Sequence, residues 1–355
     1  MKNTKSKTAS HQTIKSKGTV LVTGGAGYIG SHTCVTLLEQ GYEIVVVDNF
    51  VNSSPVSLER VTKITGKTFP WYRADLRNRT QLAEIFAKHK IDWVIHFAAL
   101  KAVGESVAQP LRYYENNLNA TLSLLTVMEN YGCKKIVFSS SATVYGNPER
   151  LPLTEDCALH TTNPYGATKL MIENILRDLC TADKTWTAVI LRYFNPVGAH
   201  PSGLIGENPQ GIPNNLTPYI AQVLTGKLPY LQVFGDDYPT PDGTGVRDYI
   251  HVCDLADGHL QAIAKIKTPG VHTFNLGTGQ GYSVLDVLHA FERAAGRQIP
   301  YQIKPRRAGD IATCYADPSC AERELQWHAK YDLDAMARDL WQFYTKNPHG
   351  YADEE

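Results

Sequence analysis

Short apolar runs alternate with helical stretches from residue 19 onward, and this alternation restricts the fold more than any other feature. The runs are "TVLVT", "EIVVVD", "WYRADL", "DWVIHFAA" and "KIVFSSS". Helical patterns at 28–40, 78–89 and 111–130 lie between them, with a long turn after the second run. Repeated βαβ units of this kind form a parallel sheet covered by helices on both faces. We therefore expect an α/β fold with a Rossmann-like doubly wound parallel sheet.

The composition changes after a predicted helix at 164–183 and a buried strand, "TAVILRYFN". Residues 196–248 are rich in Pro, Gly and Asn, which is typical of loops and pocket walls. The strand candidates "HTFNLG" and "PYQIK" then flank a helix at 283–295, and "LDAMARDLWQFYTK" predicts a closing helix. The predicted layout has three parts. Residues 1–17 form a disordered tail, and residues 18–195 form a nucleotide-binding domain to which residues 249–276 return. Residues 196–248 and 277–345 form a smaller C-terminal substrate lobe.

Composition excludes several classes of protein. No apolar run approaches the ~20 residues that a membrane span needs, and the first 17 residues, with five lysines and no acid, lack the apolar core of a signal peptide. We therefore expect a cytoplasmic protein without a membrane partner. The basic tail is typical of a disordered segment rather than a nucleic-acid-binding arm. Seven scattered cysteines and twelve unclustered histidines predict neither disulfides nor a metal site.

A glycine triplet stands between the first predicted strand and the first predicted helix. In "VLVTGGAGYIGSH" it comprises Gly24, Gly27 and Gly30. Glycines there let the backbone approach a pyrophosphate, which the helix N-terminus attracts. Asp48 ends the next predicted strand, where an acid would bind ribose hydroxyls and repel a 2′-phosphate. These features together predict an NAD site.

Three further residues indicate chemistry on a hydroxyl group. Ser141 ends the run "KIVFSSS", so it should lie at the carboxyl edge of the sheet, where ligands bind. In "NPYGATKLMIEN", Asn163 is a good N-cap, and Tyr165 and Lys169 fall one helical turn apart. If this helix is considered by itself, Tyr165 could simply be a packed side chain and Lys169 a solvated one. With the glycine triplet upstream, the three residues instead form the set that a nicotinamide-dependent alcohol oxidation requires.

The chemistry explains these residue types. Oxidation of a sugar carbinol needs a base for the hydroxyl proton, and a free tyrosine with a pKa of about 10 is a poor base at neutral pH. An ammonium about 6 Å away lowers that pKa by about two units at an effective dielectric near 20. We expect Lys169 to act on Tyr165 in this way, with the cationic nicotinamide supplying the rest.

The motifs, taken in order, resemble those of the extended short-chain dehydrogenase/reductase family. "GGAGYIGSH", "HFAALKAVGESV", "FSSSATVYG", "LRYFNPVGAHPSG", "PQGIPNNL", "DGTGVRDYIHV" and "PRRAGD" are similar to the motifs of its UDP-galactose 4-epimerases. The resemblance covers nearly everything from residue 18 to 350. It implies NAD as the cofactor, a UDP-hexose as the substrate, and a homodimer through the helices at 111–130 and 164–183.

The same resemblance implies individual contacts. Besides the glycine turn, Asp48, Tyr165 and Lys169, the NAD contacts would be Tyr28, Ile29, Asn49, Asp75, Leu76, Phe97, Ala98, Ala99, Leu100, Lys101, Asn116 and Phe194. The UDP-sugar contacts would be Asn195, Asn215, Leu216, Gln232, Val233, Phe234, Arg247, Arg307 and Asp310. Two arginines suit a diphosphate, and Phe234 offers a ring face to uracil.

The implied activity is inversion at C4 of UDP-glucose and UDP-galactose through a 4-keto sugar. Tyr165 would take the C4 hydroxyl proton, Ser141 would bind the same oxygen, and Lys169 would hold the cofactor ribose. A nucleotide-sugar 4,6-dehydratase is one alternative, but such enzymes carry an acidic pair where this chain has Ala142 and Thr143. A non-catalytic redox sensor is another, although such modules typically lack the tyrosine or the lysine.

Cys314 occupies a position that the resemblance marks as a gate beside the hexose C2. Some bacterial members have tyrosine there, whereas members with a small residue also accept N-acetylated sugars. Cysteine is small, so we expect turnover of UDP-GlcNAc and UDP-GalNAc as well. The alternative is a small buried residue beside Cys320, with another side chain filling the space.

Overall fold

The structure, a computed structural model, describes residues 16–209, 211, 213, 215–307 and 310–351. The strands are β1 Thr19–Thr23, β2 Glu43–Asp48, β3 Trp71–Arg73, β4 Trp93–His96, β5 Lys135–Ser141, β6 Thr187–Tyr193, β7 Asn195–Val197, β8 Leu231–Phe234, β9 Val246–His251, β10 Gly270–Leu276, β11 Gly281–Ser283, β12 Tyr301–Lys304 and β13 Thr313–Cys314. The helices are α1 Tyr28–Glu39, α2 Val56–Thr65, α3 Arg79–Lys88, α4 Val103–Ala108, α5 Pro110–Asn130, α6 Pro164–Ala182, α7 Leu216–Leu224, α8 Val252–Lys265, α9 Val284–Ala295, α10 Ser319–Leu325 and α11 Leu333–Lys346.

The main sheet is parallel throughout. In the described residues it has seven strands in the order β10-β6-β5-β4-β1-β2-β3. Chain order reverses on either side of β1 and β4, as in a doubly wound sheet. The predicted α/β fold with a Rossmann-like sheet is therefore confirmed.

The two faces of this sheet are buried under separate helical layers. Alternate residues of a strand point to opposite faces, so Val20 and Val22 of β1 pack into one cluster and Leu21 packs into the other. The first cluster includes residues of α1, α2 and α8, and the second includes residues of α3, α5 and α6. Burial on both faces explains why the strands are continuous apolar runs rather than alternating ones.

A smaller set of elements lies beyond the main sheet. The strands β11, β9 and β13 pair in that order, with β7 also on β9, and β12 pairs with β8. A third cluster of buried residues joins α7, α9 and α11 to β8 and β9. The predicted boundaries between two domains stay a prediction. The predicted tail at 1–17 lies outside the described residues except for Ser16 and Lys17.

Several local predictions differ from the structure. The expected long turn after β2 contains α2, and the region expected to be mostly loop contains α7 and β8. Pro and Gly around "LTPYIAQVL" hide its apolar pattern, but Ile220 and Leu224 pack into the third cluster. The run "TAVILRYFN" divides into β6 and β7, which belong to different sheets. Within the described ranges, no helix is long and apolar enough to cross a membrane.

Candidate active site

The turn between β1 and α1 has space only for glycine at critical positions. Gly24 has a φ of +69°, and a Cβ there would lie 2.8 Å from the backbone nitrogen of Ala98. A Cβ on Gly30 would lie 2.3 Å from the carbonyl oxygen of Gly24. Gly27 is the N-cap of α1 and offers no side chain to the first-turn N–H groups. These amides and the bare backbone suit a pyrophosphate.

Asp48 lies directly against this turn. Its Oδ2 accepts a hydrogen bond from Ala26 N at 3.0 Å, and its Oδ1 accepts from Phe50 N at 2.9 Å and Ser53 Oγ at 2.8 Å. The carboxylate is buried but keeps acceptor capacity, since two oxygens together have about four lone-pair positions. The structure thus brings the predicted ribose-binding acid to the predicted phosphate turn.

The predicted adenine-side residues also come together. Asn49 Nδ2 lies 3.4 Å from Asp75 Oδ2, which joins the ends of β2 and β3. Hydrogen bonds from Arg77 lower the pKa of Asp75 to about 2, so this carboxylate is ionised at neutral pH. Leu76, beside Asp75, is buried. The predicted adenine side of the cofactor site therefore presents the Asp75 carboxylate and the Asn49 amide.

The segment from Phe97 to Lys101 follows β4 and is held by a residue that the sequence analysis missed. Asn117 on α5 accepts a hydrogen bond from Leu100 N at 2.8 Å and donates to Leu100 O and Thr168 Oγ1, both at 3.0 Å. The neighbouring predicted contact, Asn116, donates to Asn117 Oδ1 at 3.1 Å. The only signal for Asn117 in the sequence was its place beside Asn116.

Tyr165 and Lys169 share one face of α6, as predicted. Asn163 caps this helix by accepting a hydrogen bond from Gly166 N at 2.8 Å. The Lys169 ammonium lies 5.8 Å from the centre of the Tyr165 ring and donates to Ser139 O at 2.6 Å. Ser141, two residues farther along β5, is near enough for its side chain to hydrogen-bond Tyr165. Phe194 comes directly after β6, the strand that pairs with β5, and it is buried.

The direction of the Tyr165 pKa differs from the prediction. Burial raises that pKa to about 12, and the hydrogen bond from Ser141 only partly opposes the rise. The predicted lowering is therefore wrong for the protein groups alone. Burial also lowers the pKa of Lys169 to about 7, against the opposing charge of Glu173. Desolvation penalises the charged form of each partner, and this cost outweighs the attraction between them.

The two predicted diphosphate arginines converge on one segment. Arg247 Nη1 donates to Val246 O at 2.8 Å and reaches Ala312 O at 3.5 Å, whereas Arg307 Nε donates to Asp310 Oδ2 at 2.9 Å. Both positive charges act on the same phenol, Tyr249. Burial still raises the pKa of Tyr249 to about 12. Two guanidinium groups near one buried hydroxyl form a suitable place for an anionic ligand.

Phe234 is less free than the sequence suggested. The Arg307 guanidinium lies over its ring, 4.8 Å from the centre, in a cation–π contact. One ring face is therefore covered by a predicted substrate contact, and only the other face can accept a base. Gln232 is exposed and Val233 is buried on the same strand, β8.

Three other predicted contacts lie at element ends. Asn195 starts β7, and Asn215 and Leu216 begin α7. Instead of capping α7, Asn215 donates from Nδ2 to Glu207 Oε1 at 2.9 Å, and Lys101 Nζ lies 3.6 Å from the same oxygen. Glu207 is buried, and its Oε2 has no partner among the described residues. No pattern in the sequence indicated this acid.

Cys314, the predicted gate residue, lies beside one of the predicted diphosphate arginines. It pairs in β13 with Arg247 of β9, and it packs against a cluster of buried residues that includes Phe194 and Ala316. Cys320 packs instead against the cluster under α8. Burial raises the pKa of the Cys314 thiol to about 11, so the side chain is a small neutral group at neutral pH.

The amino-acid sequence also matches the model of a known protein family. Residues 20–277 match the profile of the NAD dependent epimerase/dehydratase family. The chain belongs to this family. The match confirms the resemblance drawn from the motifs, and it includes the glycine turn, Asp48, Ser141, Tyr165 and Lys169.

Close relatives span almost the whole length of the chain. A UDP-glucose 4-epimerase of Bacillus subtilis (strain 168) is 62% identical over 337 residues, which are 95% of this chain and 99% of that protein. The crystal structure of UDP-glucose 4-epimerase from Bifidobacterium longum, in complex with NAD+ and UDP, has a TM-score of 0.91 at 61% identity and covers 94% of this chain and 99% of its own. That of the Stenotrophomonas maltophila enzyme, with bound NAD and formylated UDP-arabinopyranose, has a TM-score of 0.91 at 51% identity, covering 93% and 99%.

The residues present fit NAD. The glycine turn forms a cradle that a Cβ would fill, and the acid at the end of β2 suits a ribose. Tyr165 and Lys169 lie on α6, and Lys169 Nζ donates to the Ser139 carbonyl near the carboxyl end of β5. No cluster of His, Cys, Asp or Glu that could hold a metal ion occurs in the part of the chain that the structure describes.

Gly30→Ala tests this cradle. The added Cβ would meet the Gly24 carbonyl, a backbone atom that cannot move freely, at a cost of about 1–3 kcal/mol. NAD affinity should fall about tenfold or more. The measurement is NAD(H) released from the purified protein on denaturation. Gly104→Ala is the matched control, because its Cβ would meet nothing within 4 Å. Equal NAD content in both variants would contradict the assignment.

Proposed function

We propose that this chain is an NAD-dependent epimerase that inverts C4 of UDP-glucose and UDP-galactose. The observation that carries the proposal is the set of Ser141, Tyr165 and Lys169 at the carboxyl edge of the sheet, beside the glycine turn. The relatives of Bacillus subtilis and Bifidobacterium longum bear the same activity in their names. No net redox change occurs, because the hydride removed from C4 returns to the other face of the keto sugar.

Each catalytic side chain acts through one named atom. Tyr165 Oη takes the proton of the C4 hydroxyl and later returns it. Ser141 Oγ binds the same sugar oxygen, and Lys169 Nζ holds the cofactor ribose while its positive charge favours the phenolate. When bound, NAD supplies the hydride acceptor for oxidation and the donor for the return step.

The UDP moiety is assigned to the elements beyond the main sheet. Arg247 and Arg307 bind the diphosphate, since both charges already converge near Tyr249. The free face of Phe234 receives uracil, and Asp310 holds Arg307 in place. The remaining assigned contacts are Asn195, Asn215, Leu216, Gln232 and Val233.

Neither alternative function has support in the structure. A 4,6-dehydratase needs an acid and a base after β5, but this chain has Ala142 and Thr143 in a single 3₁₀ turn, and Thr143 N is bound to Ser141 Oγ at 3.2 Å. A redox sensor without catalysis would not need a buried tyrosine and lysine on the same helical face. The epimerase assignment therefore has no rival at this site.

Tyr165→Phe tests the assigned activity. The wild type, without added NAD, should convert UDP-glucose to UDP-galactose. The variant should keep its fold and its NAD but lose turnover by about 10²–10⁴-fold, since it lacks the proton acceptor. Product is measured by chromatography of the two UDP-sugars. A variant within about threefold of the wild type would refute the role of Tyr165.

We propose that the enzyme also interconverts UDP-GlcNAc and UDP-GalNAc. The support for this is that Cys314, a small side chain, pairs with Arg247 and packs against the cluster that includes Phe194. We expect such a small residue to leave space for the acetamido group on this side of the hexose. A tyrosine at this position would add a whole ring to the same space.

Cys314→Tyr should abolish turnover of the acetylated pair and spare the plain pair. The measurement is kcat/KM for both substrate pairs in both proteins. Cys314→Ser is the control, because it nearly preserves the side-chain volume and should keep both activities. Absence of UDP-GlcNAc turnover in the wild type, or equal losses on both pairs in the tyrosine variant, would contradict the gate.

We further propose a homodimer in which α5 and α6 of two chains pack together. Apolar side chains on this face are exposed: Leu111 by 81%, Leu122 by 40% and Met171 by 43%. Leu111 and Leu122 are eleven residues apart, which is close to three helical turns, so they share one stripe of α5. A stripe of this kind is typical of an interface.

The double variant Leu111→Glu, Leu122→Glu should dissociate the dimer, because two charges per chain would have to be desolvated in the interface. Light scattering with size-exclusion chromatography measures the mass. Tyr301→Glu is the control, since Tyr301 is similarly exposed, by 43%, but lies on β12. A wild type that is monomeric at micromolar concentration would rule out the proposal.

A cytoplasmic location is the last part of the proposal. It is supported by the proposed reaction, because its UDP-sugar substrates carry charged phosphates. Fractionation of cells that express the full chain would test it.

A further inference from the structure

A buried ion pair lies one helical turn beyond Lys169. Glu173 of α6 is 0% exposed and Arg192 of β6 is 1% exposed. Arg192 Nε donates to Glu173 Oε1 at 3.0 Å, and Arg192 Nη2 donates to Oε2 at 2.7 Å. Charges are costly to bury, and apolar pairs of similar volume are often as stable. The pair therefore calls for an explanation beyond packing.

The carboxylate of Glu173 also holds the strand that carries the catalytic serine. Ser140 Oγ donates to Glu173 Oε1 at 2.6 Å. Ser140 lies between Ser139, whose carbonyl accepts from Lys169 Nζ at 2.6 Å, and Ser141. A single carboxylate thus joins α6, β5 and β6 at the level of the active site.

Lys169 is almost completely buried, at 3% exposure, so its charge depends on its neighbours. From β5 it meets the Phe138 ring at 4.9 Å and the Ser139 carbonyl. From β4 it faces His96, whose pKa burial lowers to about 3, so this imidazole stays neutral. On its own helix it faces Tyr165 and Glu173.

Glu173 is the acid that acts on Lys169 among these neighbours. Burial lowers the pKa of Lys169 to about 7, and the Glu173 charge opposes this fall. Burial would also raise the pKa of Glu173, but Arg192, Ser140 and Arg177 together hold it below its usual value. The acid therefore stays ionised over the whole range in which the lysine titrates.

We propose that Glu173 is a positioning residue whose carboxylate, fixed by Arg192 and Ser140, keeps Lys169 in its ammonium form at the end of β5. Only the predicted effect on catalysis rests on the proposed function, in which the Lys169 ammonium acts on Tyr165 and on the cofactor ribose. Without the carboxylate, Lys169 becomes a neutral amine at lower pH. The phenol then loses the positive charge beside it.

Glu173→Gln tests the proposal in the full-length protein with its NAD. The Cε resonance of Lys169 in [¹³Cε]lysine-labelled protein, identified by its absence from Lys169→Met, reports the protonation of this amine directly. Its titration midpoint should fall by about one to two pH units, the effect of one charge on the next turn of the same helix at an effective dielectric near 20. The alkaline limb of kcat for UDP-glucose should move to lower pH by a similar amount.

Asp178→Asn is the matched control. Asp178 is an exposed acid on the same helix, nine residues from Lys169 and thus about 13 Å away along the axis, beyond the Debye length of about 10 Å. In this variant the titration midpoint of Lys169 should stay at the wild-type value. Glu173→Asp should keep that value too, because it keeps the charge, even where the shorter side chain makes the protein less stable.

The outcomes separate this proposal from the assigned function. A Lys169 midpoint that does not move in folded Glu173→Gln overturns the proposal whatever the activity. A wild type without epimerase activity overturns the assigned function but leaves the titration result to decide the role of Glu173. If the single variant does not fold because Arg192 is left unpaired, the double variant Glu173→Gln, Arg192→Gln is compared with Arg192→Gln, from which it differs only in the Glu173 charge. Its Lys169 midpoint should lie below that of Arg192→Gln, and equal midpoints in these two variants overturn the proposal.

Discussion

The parallel alignment of the main sheet is the constraint on which the rest of the site depends. Strands that run in one direction deliver all their carboxyl ends to one edge. Gly24 follows β1, Asp48 ends β2, Ser141 ends β5 and Phe194 follows β6, so residues more than a hundred positions apart meet there. Helix α6 then needs only one capped turn, started by Asn163, to bring Tyr165 and Lys169 to the same edge.

Placing the site at this edge makes polar groups part of the core, and two of them, His96 and Asn117, are held by specific partners. His96 lies between Thr23 Oγ1 at 2.8 Å and Thr121 Oγ1 at 2.9 Å, and Asn117 joins the loop after β4 to α6. A buried group without a partner costs about 1–3 kcal/mol. Such networks therefore hold the loop after β4 and the helix in one arrangement, which a site that moves protons and hydride requires.

The sequence predicts most of the architecture but less of the support around the site. Both β5 and α11 coincide with their predicted bounds, because β5 has a compact apolar run and α11 has apolar residues at helical spacing. Helix α7 was missed, since neighbouring Pro and Gly conceal its pattern. The residues placed in the site followed from motifs, whereas Asn117, Glu173 and Glu207 are single polar residues whose partners are distant in the chain. Only folding reveals that each is buried.

The pKa values of Tyr165 and Lys169 show why a motif alone could not give the mechanism. The charges of a tyrosine and a lysine at this spacing attract each other, but burial penalises the phenolate and the ammonium separately, and here that cost is larger. The protein groups by themselves therefore hold the phenol protonated. A further positive charge beside Tyr165 is needed before it can accept a proton near neutral pH. The oxidised nicotinamide ring would supply such a charge and the reduced ring would not. We therefore expect Tyr165 to be a stronger base when the bound cofactor is oxidised, and to hold its proton better when the cofactor is reduced.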